Sequence, residues 1–119
     1  MMKTILVAED NESNFILMTY ILKRDYLYVR AKNGKEAVEA ADKGGIDLIL
    51  MDVKMPVMDG LEATKKIKEK HPELPVIALT ANAFDSDRQL ALSAGCDDFL
   101  SKPISSEKCL KVIDRLIGK

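Results

Sequence analysis

The chain has 119 residues, of which 47% are hydrophobic and 31% are charged, a balance typical of one globular domain. Its 18 lysine and arginine residues nearly balance its 19 aspartate and glutamate residues, which leaves a formal net charge of −1. This balance argues against a broad nucleic-acid surface, because clustered basic side chains are needed to bind a phosphate backbone. We therefore predict a single domain, residues 1–119, that does not bind nucleic acid.

Membrane attachment and disulfide bonds are not expected from this sequence. The first apolar run is short and ends at Glu9 and Asp10, without the small-residue cleavage site of a secretory signal. No apolar stretch reaches the roughly 20 residues that span a bilayer. Cys96 and Cys109 lack metal-type spacing and are too few for a disulfide framework, so we interpret both as packing residues. These features favour a cytoplasmic protein without membrane contacts.

Apolar runs alternate with segments of helical periodicity along the whole chain. The predicted strands are Thr4–Ala8, Leu27–Ala31, Leu48–Met51, Val76–Leu79 and Asp98–Leu100. The predicted helices are Asn14–Lys23, Lys35–Lys43, Leu61–Lys70, Phe84–Ala94 and Ser106–Ile117. The continuously apolar runs ILVA, LILM and VIAL are typical of strands buried on both faces of a parallel sheet. Five successive strand–helix units predict a doubly wound α/β sandwich with helices on both faces of the sheet.

Polar side chains that could bind a ligand or react lie where four of the predicted strands end. In chain order they are Glu9 and Asp10, Asp52, Thr80, and Ser101 with Lys102. Ligands of doubly wound proteins bind outside the carboxyl ends of the strands. One edge of the sheet is therefore expected to collect three acids, a hydroxyl group and a lysine.

Three carboxylates at one edge repel each other unless a cation or a proton joins them. Mg²⁺ suits such a site, because it takes one or two carboxylates together with water and phosphate oxygens. Acids also end strands and cap helices without any ligand, and Asp10 could cap the nearby helix. Asp52 is harder to explain in that way, since it follows the buried run DLILM and stands before the loop MPVMDG.

A carboxylate can attack phosphorus as a nucleophile and form an aspartyl phosphate. Phosphoryl transfer asks the protein mainly for positioning and for neutralisation of charge on the equatorial oxygens. At this edge Mg²⁺, the Lys102 ammonium and the Thr80 hydroxyl would each meet one of those oxygens. A single Thr or Lys at a strand end is usually structural, so the hypothesis depends on their joint occurrence.

The segments ILVAEDN, DLILMDVKMPVMDG, PVIALTAN and AGCDDFLSKP together resemble the receiver domain of two-component response regulators. The resemblance covers essentially the whole chain and extends to single-domain regulators and to the receivers of hybrid histidine kinases. It implies a flavodoxin-like three-layer sandwich with a five-stranded parallel sheet of order 2-1-3-4-5. It also implies a phosphoacceptor switch that phosphorylates and dephosphorylates itself but turns over no separate metabolite.

The resemblance further implies a role for each candidate in the acidic site. Asp52 would be the phosphoacceptor, and Lys102 would contact the phosphoryl group. Asp10, Asp52 and the backbone carbonyl of Lys54 would bind Mg²⁺ directly. Glu9 would act on the ion through water, and it replaces the aspartate that is commoner at this position of the family.

A second set of residues would convert phosphorylation into a signal. By the same resemblance, Thr80 and Phe99 would form a switch pair, in which the hydroxyl moves toward the phosphate and the ring turns inward. Lys54 and Asn82 are expected near the phosphoryl group, at positions that differ among members of the family and tune phosphate lifetime. The peptide bond between Lys102 and Pro103 is expected to be cis.

The first predicted helix carries more apolar residues than one buried stripe needs. Its core positions are predicted at Asn14, Leu17, Met18, Ile21 and Leu22. Phe15, Ile16 and Tyr20 remain, and they either pack against other elements or form a docking surface. The resemblance implies docking by a histidine kinase or a histidine phosphotransfer protein, with a downstream effector protein as a further partner. His71 lies in a loop away from the acidic edge, so the donor histidine must belong to another protein.

Three other readings of the same residues are less consistent with the sequence. A haloacid-dehalogenase-like phosphatase carries a second aspartate two residues after its nucleophile, whereas Lys54 follows Asp52 at that spacing. A flavodoxin-like electron carrier has a phosphate loop rich in Ser, Thr and Gly after its first strand, whereas this loop is acidic. A degenerate receiver, used only for binding, usually lacks one of the site residues, and none is missing from this sequence.

Overall fold

Five parallel strands form one sheet in the computed structural model, which describes residues 2–81 and 85–118. The strands are β1 (Thr4–Ala8), β2 (Leu27–Ala31), β3 (Leu48–Asp52), β4 (Val76–Thr80) and β5 (Asp98–Ser101). The helices are α1 (Glu12–Leu22), α2 (Gly34–Lys43), α3 (Gly60–Lys70), α4 (Asp85–Ala94) and α5 (Ser106–Ile117). The strand order β2-β1-β3-β4-β5 confirms the predicted doubly wound fold. Among these helices, none is long and apolar enough to cross a bilayer.

The last three strands extend one residue further than predicted. Asp52, Thr80 and Ser101 each pair in register with a neighbouring strand, Asp52 with Leu79 and Thr80 with Ser101. Sequence patterns missed these residues because they are polar, whereas the pairing depends on the backbone alone. Three candidate site residues thus belong to the rigid sheet edge rather than to loops.

Three helices begin earlier than the apolar periodicity indicated. The side chains of Asn11, Asn33 and Asp59 accept hydrogen bonds from the backbone N–H groups of Asn14, Glu36 and Glu62, respectively. Such caps satisfy N–H groups of the first turn, which have no partner inside the helix. The first turn therefore starts directly after the cap, whatever the polarity of its residues. The predicted start of α4 at Phe84 lies outside the described residues.

Alternate side chains of the central strands fill two separate apolar layers. Ile5, Val7, Leu48 and Leu50 pack with α1 and α5, whereas Leu6, Ala8, Ile49 and Met51 pack toward α2 and α3. Because neighbouring residues of a strand point to opposite faces, a strand covered on both faces must be apolar throughout. Cys96 and Cys109 are free thiols, one in each layer, as predicted for packing residues.

Two glycines hold the loop after β3 against the neighbouring helices. The Gly60 N–H donates to the Val53 carbonyl at 2.8 Å, and the Gly34 N–H donates to the Met58 carbonyl at 2.9 Å. A Cβ atom on Gly60 would lie 2.1 Å from the carbonyl oxygen of Asp52. A Cβ atom on Gly34 would lie 2.3 Å from the carbonyl oxygen of Met58. The loop that follows Asp52 is therefore fixed by backbone contacts that leave no space for a side chain.

Candidate functional site

The structure brings the three predicted acids together at the carboxyl edge of the sheet. Carboxylate oxygens of Glu9, Asp10 and Asp52 all lie within 4.8 Å of one another. Glu9 and Asp52 are buried, with 1% and 5% of their surfaces exposed, whereas Asp10 is exposed. The juxtaposition arises because β1 and β3 are adjacent parallel strands that end at the same edge.

Lys102, which directly follows the edge strand β5, completes this cluster. Its ammonium nitrogen lies 3.3 Å from Glu9 Oε1 and 3.3 Å from Asp52 Oδ1. The backbone N–H of Lys102 donates to the Thr80 carbonyl at 2.8 Å, which holds the end of β5 against β4. The Lys102–Pro103 peptide bond is cis, as the family resemblance implied. The one ammonium thus contacts two of the three carboxylates, and the acids of the cluster outnumber it.

This excess of acids is visible in the environment of Glu9. Burial raises the pKa of Glu9 to about 7, and the hydrogen bond and negative charge of Asp52 add to the effect, against the opposing charge of Lys102. Glu9 Oε1 is buried and has no hydrogen-bond donor at bonding geometry among the described residues, although it forms an ion pair with the Lys102 ammonium at 3.3 Å. Carboxylate oxygens are ligands that a hard divalent cation such as Mg²⁺ prefers, and the ion also keeps several bound waters. The residues present therefore fit Mg²⁺.

An open cleft of about 350 Å³ lies above the carboxylates. It is lined by Glu9, Asp10, Asn11, Asn14, Asp52, Val53, Lys54, Leu79, Thr80, Ala81, Asp87 and Lys102. The Lys54 N–H lies 3.4 Å from Asp52 Oδ1 and donates to it. Asp87 of α4 was not singled out from the sequence, because it lies inside a helical pattern rather than at a strand end. Asn82, predicted to stand beside the cleft, lies outside the described residues.

Thr80 and Phe99 lie on adjacent strands and on the same face of the sheet. Thr80 is half-buried at the cleft, and its register partner is Ser101, two residues beyond Phe99. Phe99 is half-buried, and the Arg88 guanidinium of α4 lies 5.5 Å from its ring centroid. The two residues that the family resemblance linked are therefore diagonal neighbours, with α4 over the aromatic ring.

On α1 the predicted division into core and surface residues is partly wrong. Met18, Ile21 and Leu22 are buried as expected. Leu17 is 43% exposed, because the buried face of α1 is centred on Met18 and Leu17 lies about 100° round the helix from that centre. Together with Ile16 and Tyr20, which are 46% and 64% exposed, it gives α1 an apolar outer surface.

Phe15, which was grouped with the candidate docking residues, is only half-exposed. Its ring meets Tyr28 of β2 edge-on, with ring centroids 6.1 Å apart. The Arg30 guanidinium lies 4.4 Å from the centroid of the same Phe15 ring. Sequence patterns did not identify Arg30, which also binds the backbone of the acidic loop 21 residues away. A basic residue near the end of an edge strand was the available signal.

The chain matches known proteins over nearly its whole length. Residues 5–114 match the family described as response regulator receiver domain. The chain is 44% identical over 120 residues to hybrid signal transduction histidine kinase B of Dictyostelium discoideum, covering 89% of this chain and 6% of that kinase. It is 37% identical over 121 residues to polar-differentiation response regulator DivK of Brucella anthropi, covering 99% of this chain and 98% of DivK. The chain thus spans a small part of one relative and nearly all of the other.

Two solved structures of similar fold carry information about ligands of those proteins. The receiver domain of a Pseudomonas aeruginosa sensor histidine kinase has a TM-score of 0.92 and 36% identity, over all of both chains, and holds a magnesium ion in its active-site cleft. The receiver domain of the Saccharomyces cerevisiae response regulator Ssk1 was crystallised with the histidine phosphotransfer protein Ypd1. It has a TM-score of 0.92 and 32% identity, covering 98% of this chain and 89% of that chain. This chain belongs to the response regulator receiver family, the phosphoacceptor switches of two-component signalling.

Proposed function

We propose that Asp52 accepts a phosphoryl group from a phosphohistidine donor in a Mg²⁺-dependent reaction. The observation that carries this proposal is the cluster of three carboxylates at the carboxyl edge of the sheet, two of them buried, with the Lys102 ammonium 3.3 Å from both Glu9 and Asp52. The donor is a histidine kinase or a histidine phosphotransfer protein. As the new P–O bond to Asp52 forms, the P–N bond breaks and its electron pair returns to the imidazole of the donor.

The proposed roles follow from the position of each group around Asp52. Asp10, Asp52 and the backbone carbonyl of Lys54 would hold Mg²⁺, and Glu9 would act through water. When bound, the ion neutralises negative charge on the phosphoryl oxygens. The Lys102 ammonium, already in contact with Asp52 Oδ1, would bind a second phosphoryl oxygen.

The decisive measurement is incubation of the chain with acetyl phosphate, with and without Mg²⁺, followed by intact-mass analysis. We expect a gain of one phosphoryl group when Mg²⁺ is present. No gain is expected when EDTA is added before the acetyl phosphate. Acetyl phosphate avoids the need for a cognate kinase, because it supplies the same activated phosphoryl group. A preparation that gains no mass with Mg²⁺ present would contradict the proposal and favour a binding-only receiver.

We further propose that Thr80 and Phe99 couple phosphorylation to the surface formed by α4, β5 and α5, which a downstream effector protein would read. A phosphate on Asp52 would draw the Thr80 hydroxyl toward it, and the Phe99 ring would move into the space that is left. The Phe99 ring, which lies next to the Arg88 guanidinium, supports this idea, because a half-buried ring can become either more buried or more exposed. A full reversal of such an equilibrium requires about 5.5 kcal/mol of differential stabilisation.

Thr80→Ala should still be phosphorylated but should lose the response of β5. The hydroxyl that would follow the phosphate is removed, whereas the acidic cluster is intact. Phosphorylation by acetyl phosphate would be followed by mass, and the Phe99 environment by NMR chemical shifts before and after. Thr4→Ala, at the opposite end of the sheet, is the control. Phe99 shifts of wild-type size in phosphorylated Thr80→Ala would rule out the coupling.

We propose that the phosphodonor docks on the outer surface of α1, which includes Ile16, Tyr20 and the edge of Phe15. The exposed apolar surface beside the cleft supports this, as does the yeast receiver crystallised with a phosphotransfer protein. We expect Ile16→Asp to slow transfer from a protein donor by about 10-fold or more, since it puts a charge in an apolar interface. Phosphorylation by acetyl phosphate should stay unchanged.

Leu92→Asp provides the matched control for docking, because Leu92 on α4 is 46% exposed, as is Ile16. Equal rates of protein-donor transfer in wild type and Ile16→Asp would remove α1 from the docking surface.

We propose residues 1–119 as one receiver domain that acts in the cytoplasm. Neither nucleic acid nor a membrane is included among its ligands, in keeping with the net charge of −1.

A further inference from the structure

Arg30 lies beside the loop that carries the first two acids. It belongs to β2, and its register partner on β1 is Val7, two residues before Glu9. The Glu9 N–H donates to the carbonyl of Ala31, the next residue of β2, at 3.0 Å. The Arg30 side chain is only 16% exposed. The loop between β1 and α1 therefore leaves the sheet in contact with this guanidinium.

The guanidinium binds the backbone of both acidic residues. Nε and Nη2 of Arg30 each donate to the Glu9 carbonyl at 3.2 Å, and Nη2 lies 3.5 Å from the Asp10 carbonyl. Nη1 donates to Glu12 Oε1 at 2.7 Å. Because a guanidinium is planar and rigid, these contacts are fixed relative to one another. They hold the peptide units from whose α-carbons the two acidic side chains project.

Aromatic packing restricts the guanidinium in turn. Arg30 Cζ lies 4.4 Å from the Phe15 ring centroid, and that ring packs edge-on against Tyr28. A cation over an aromatic face is attracted by the ring quadrupole. The ion pair with the exposed Glu12 would contribute little by itself, as is usual for a surface pair. The carbonyl contacts and the aromatic packing make Arg30 a rigid brace rather than a solvated charge.

We propose that Arg30 is a positioning residue for the metal site. It holds the backbone of Glu9 and Asp10 so that their carboxylates meet that of Asp52 around one divalent ion. This inference rests on the proposed function, since it concerns the Mg²⁺ site of that function. Groups that orient metal ligands from behind change metal affinity by about 10- to 100-fold when they are removed.

Mg²⁺ affinity of the full chain, measured by titration calorimetry, tests this role without any phosphodonor. We expect Arg30→Gln to raise the Kd for Mg²⁺ by about 10-fold or more, because the carbonyls lose their fixed donors. The Kd of Arg30→Lys should lie between those of wild type and Arg30→Gln, since one ammonium cannot reproduce the several fixed N–H donors of a guanidinium. Arg24→Gln removes the same charge from an exposed side chain before β2, and its affinity should match that of wild type.

Melting temperatures in EDTA separate a loss of metal affinity from a loss of folding. Unchanged Mg²⁺ affinity in folded Arg30→Gln overturns the inference, and so does an equal loss in Arg24→Gln, which would reflect net charge alone. If Arg30→Gln does not fold, Arg30→Lys decides by the same comparison. Failure of the wild-type chain to bind Mg²⁺ is distinguishable, because it contradicts the proposed function rather than the role of Arg30.

Discussion

Asp52→Asn should abolish phosphoryl incorporation and, at the same time, raise the stability of the metal-free chain. Asparagine lacks the nucleophilic carboxylate oxygen, so the mass gain with acetyl phosphate and Mg²⁺ should disappear. The same substitution removes one charge from a cluster of three carboxylates, only two of which contact the Lys102 ammonium. We expect the free energy of unfolding in EDTA to rise by about 1 kcal/mol, because the mutual repulsion of the neighbouring carboxylates is relieved.

Asp59→Asn is the matched control for this prediction. Asp59 is an exposed residue that caps α3 by accepting a hydrogen bond from the Glu62 N–H at 2.9 Å. Asparagine caps helices as well as aspartate does, so this variant loses the same charge without losing the cap. We expect it to be phosphorylated normally and to have nearly wild-type stability. A phosphoryl adduct on Asp52→Asn would show that another residue is the acceptor.

Gly60→Ala should be among the most destabilising single-methyl additions in this chain. Gly60 is the first residue of α3, where alanine would be preferred by helix propensity. The added Cβ would lie 2.1 Å from the carbonyl oxygen of Asp52 and 2.9 Å from its carbonyl carbon. Since a backbone at the end of a central strand cannot retreat easily, we expect a loss of about 3 kcal/mol in the free energy of unfolding.

Chemical denaturation of Gly60→Ala and Gly45→Ala would separate overlap from backbone strain. A Cβ on Gly45 meets nothing within 4 Å, but its φ of +82° is unfavourable for alanine. Gly45→Ala should therefore cost only about 1 kcal/mol. Gly60→Ala should also be phosphorylated more slowly, because the overlap acts directly on the residue that carries the acceptor. A stability gain in Gly60→Ala would mean that the helix propensity of alanine outweighs the overlap of its Cβ with the Asp52 carbonyl.

The sequence was most informative where burial on both faces leaves a continuous apolar run. The central strands were predicted for that reason, and the rule that parallel strands end at one edge brought Glu9, Asp10 and Asp52 together before any coordinates were known. That rule depends on topology alone and not on individual side-chain contacts. It also explains why Lys102, more than 90 residues from Glu9, could be assigned to the same edge.

Features that depend on tertiary contacts were not predicted. Leu17 fits the apolar spacing of α1, but the position of the helix over the sheet leaves it exposed. Arg30 has no periodic signature at all, and its partners on the acidic loop become visible only when β2 lies beside β1. Capped helix starts were placed too late because a cap is recognised by one hydrogen bond, not by hydrophobicity.

The acidic site is assembled from β1, β3 and β5, whose contributing residues run from Glu9 to Lys102. No segment of the chain that ends before Lys102 holds the acceptor, the neighbouring carboxylates and the ammonium together. Under the proposed function, a chain still being synthesised could not accept a phosphoryl group until β5 had paired with β4. A copy truncated before Lys102 would therefore neither receive nor divert phosphate.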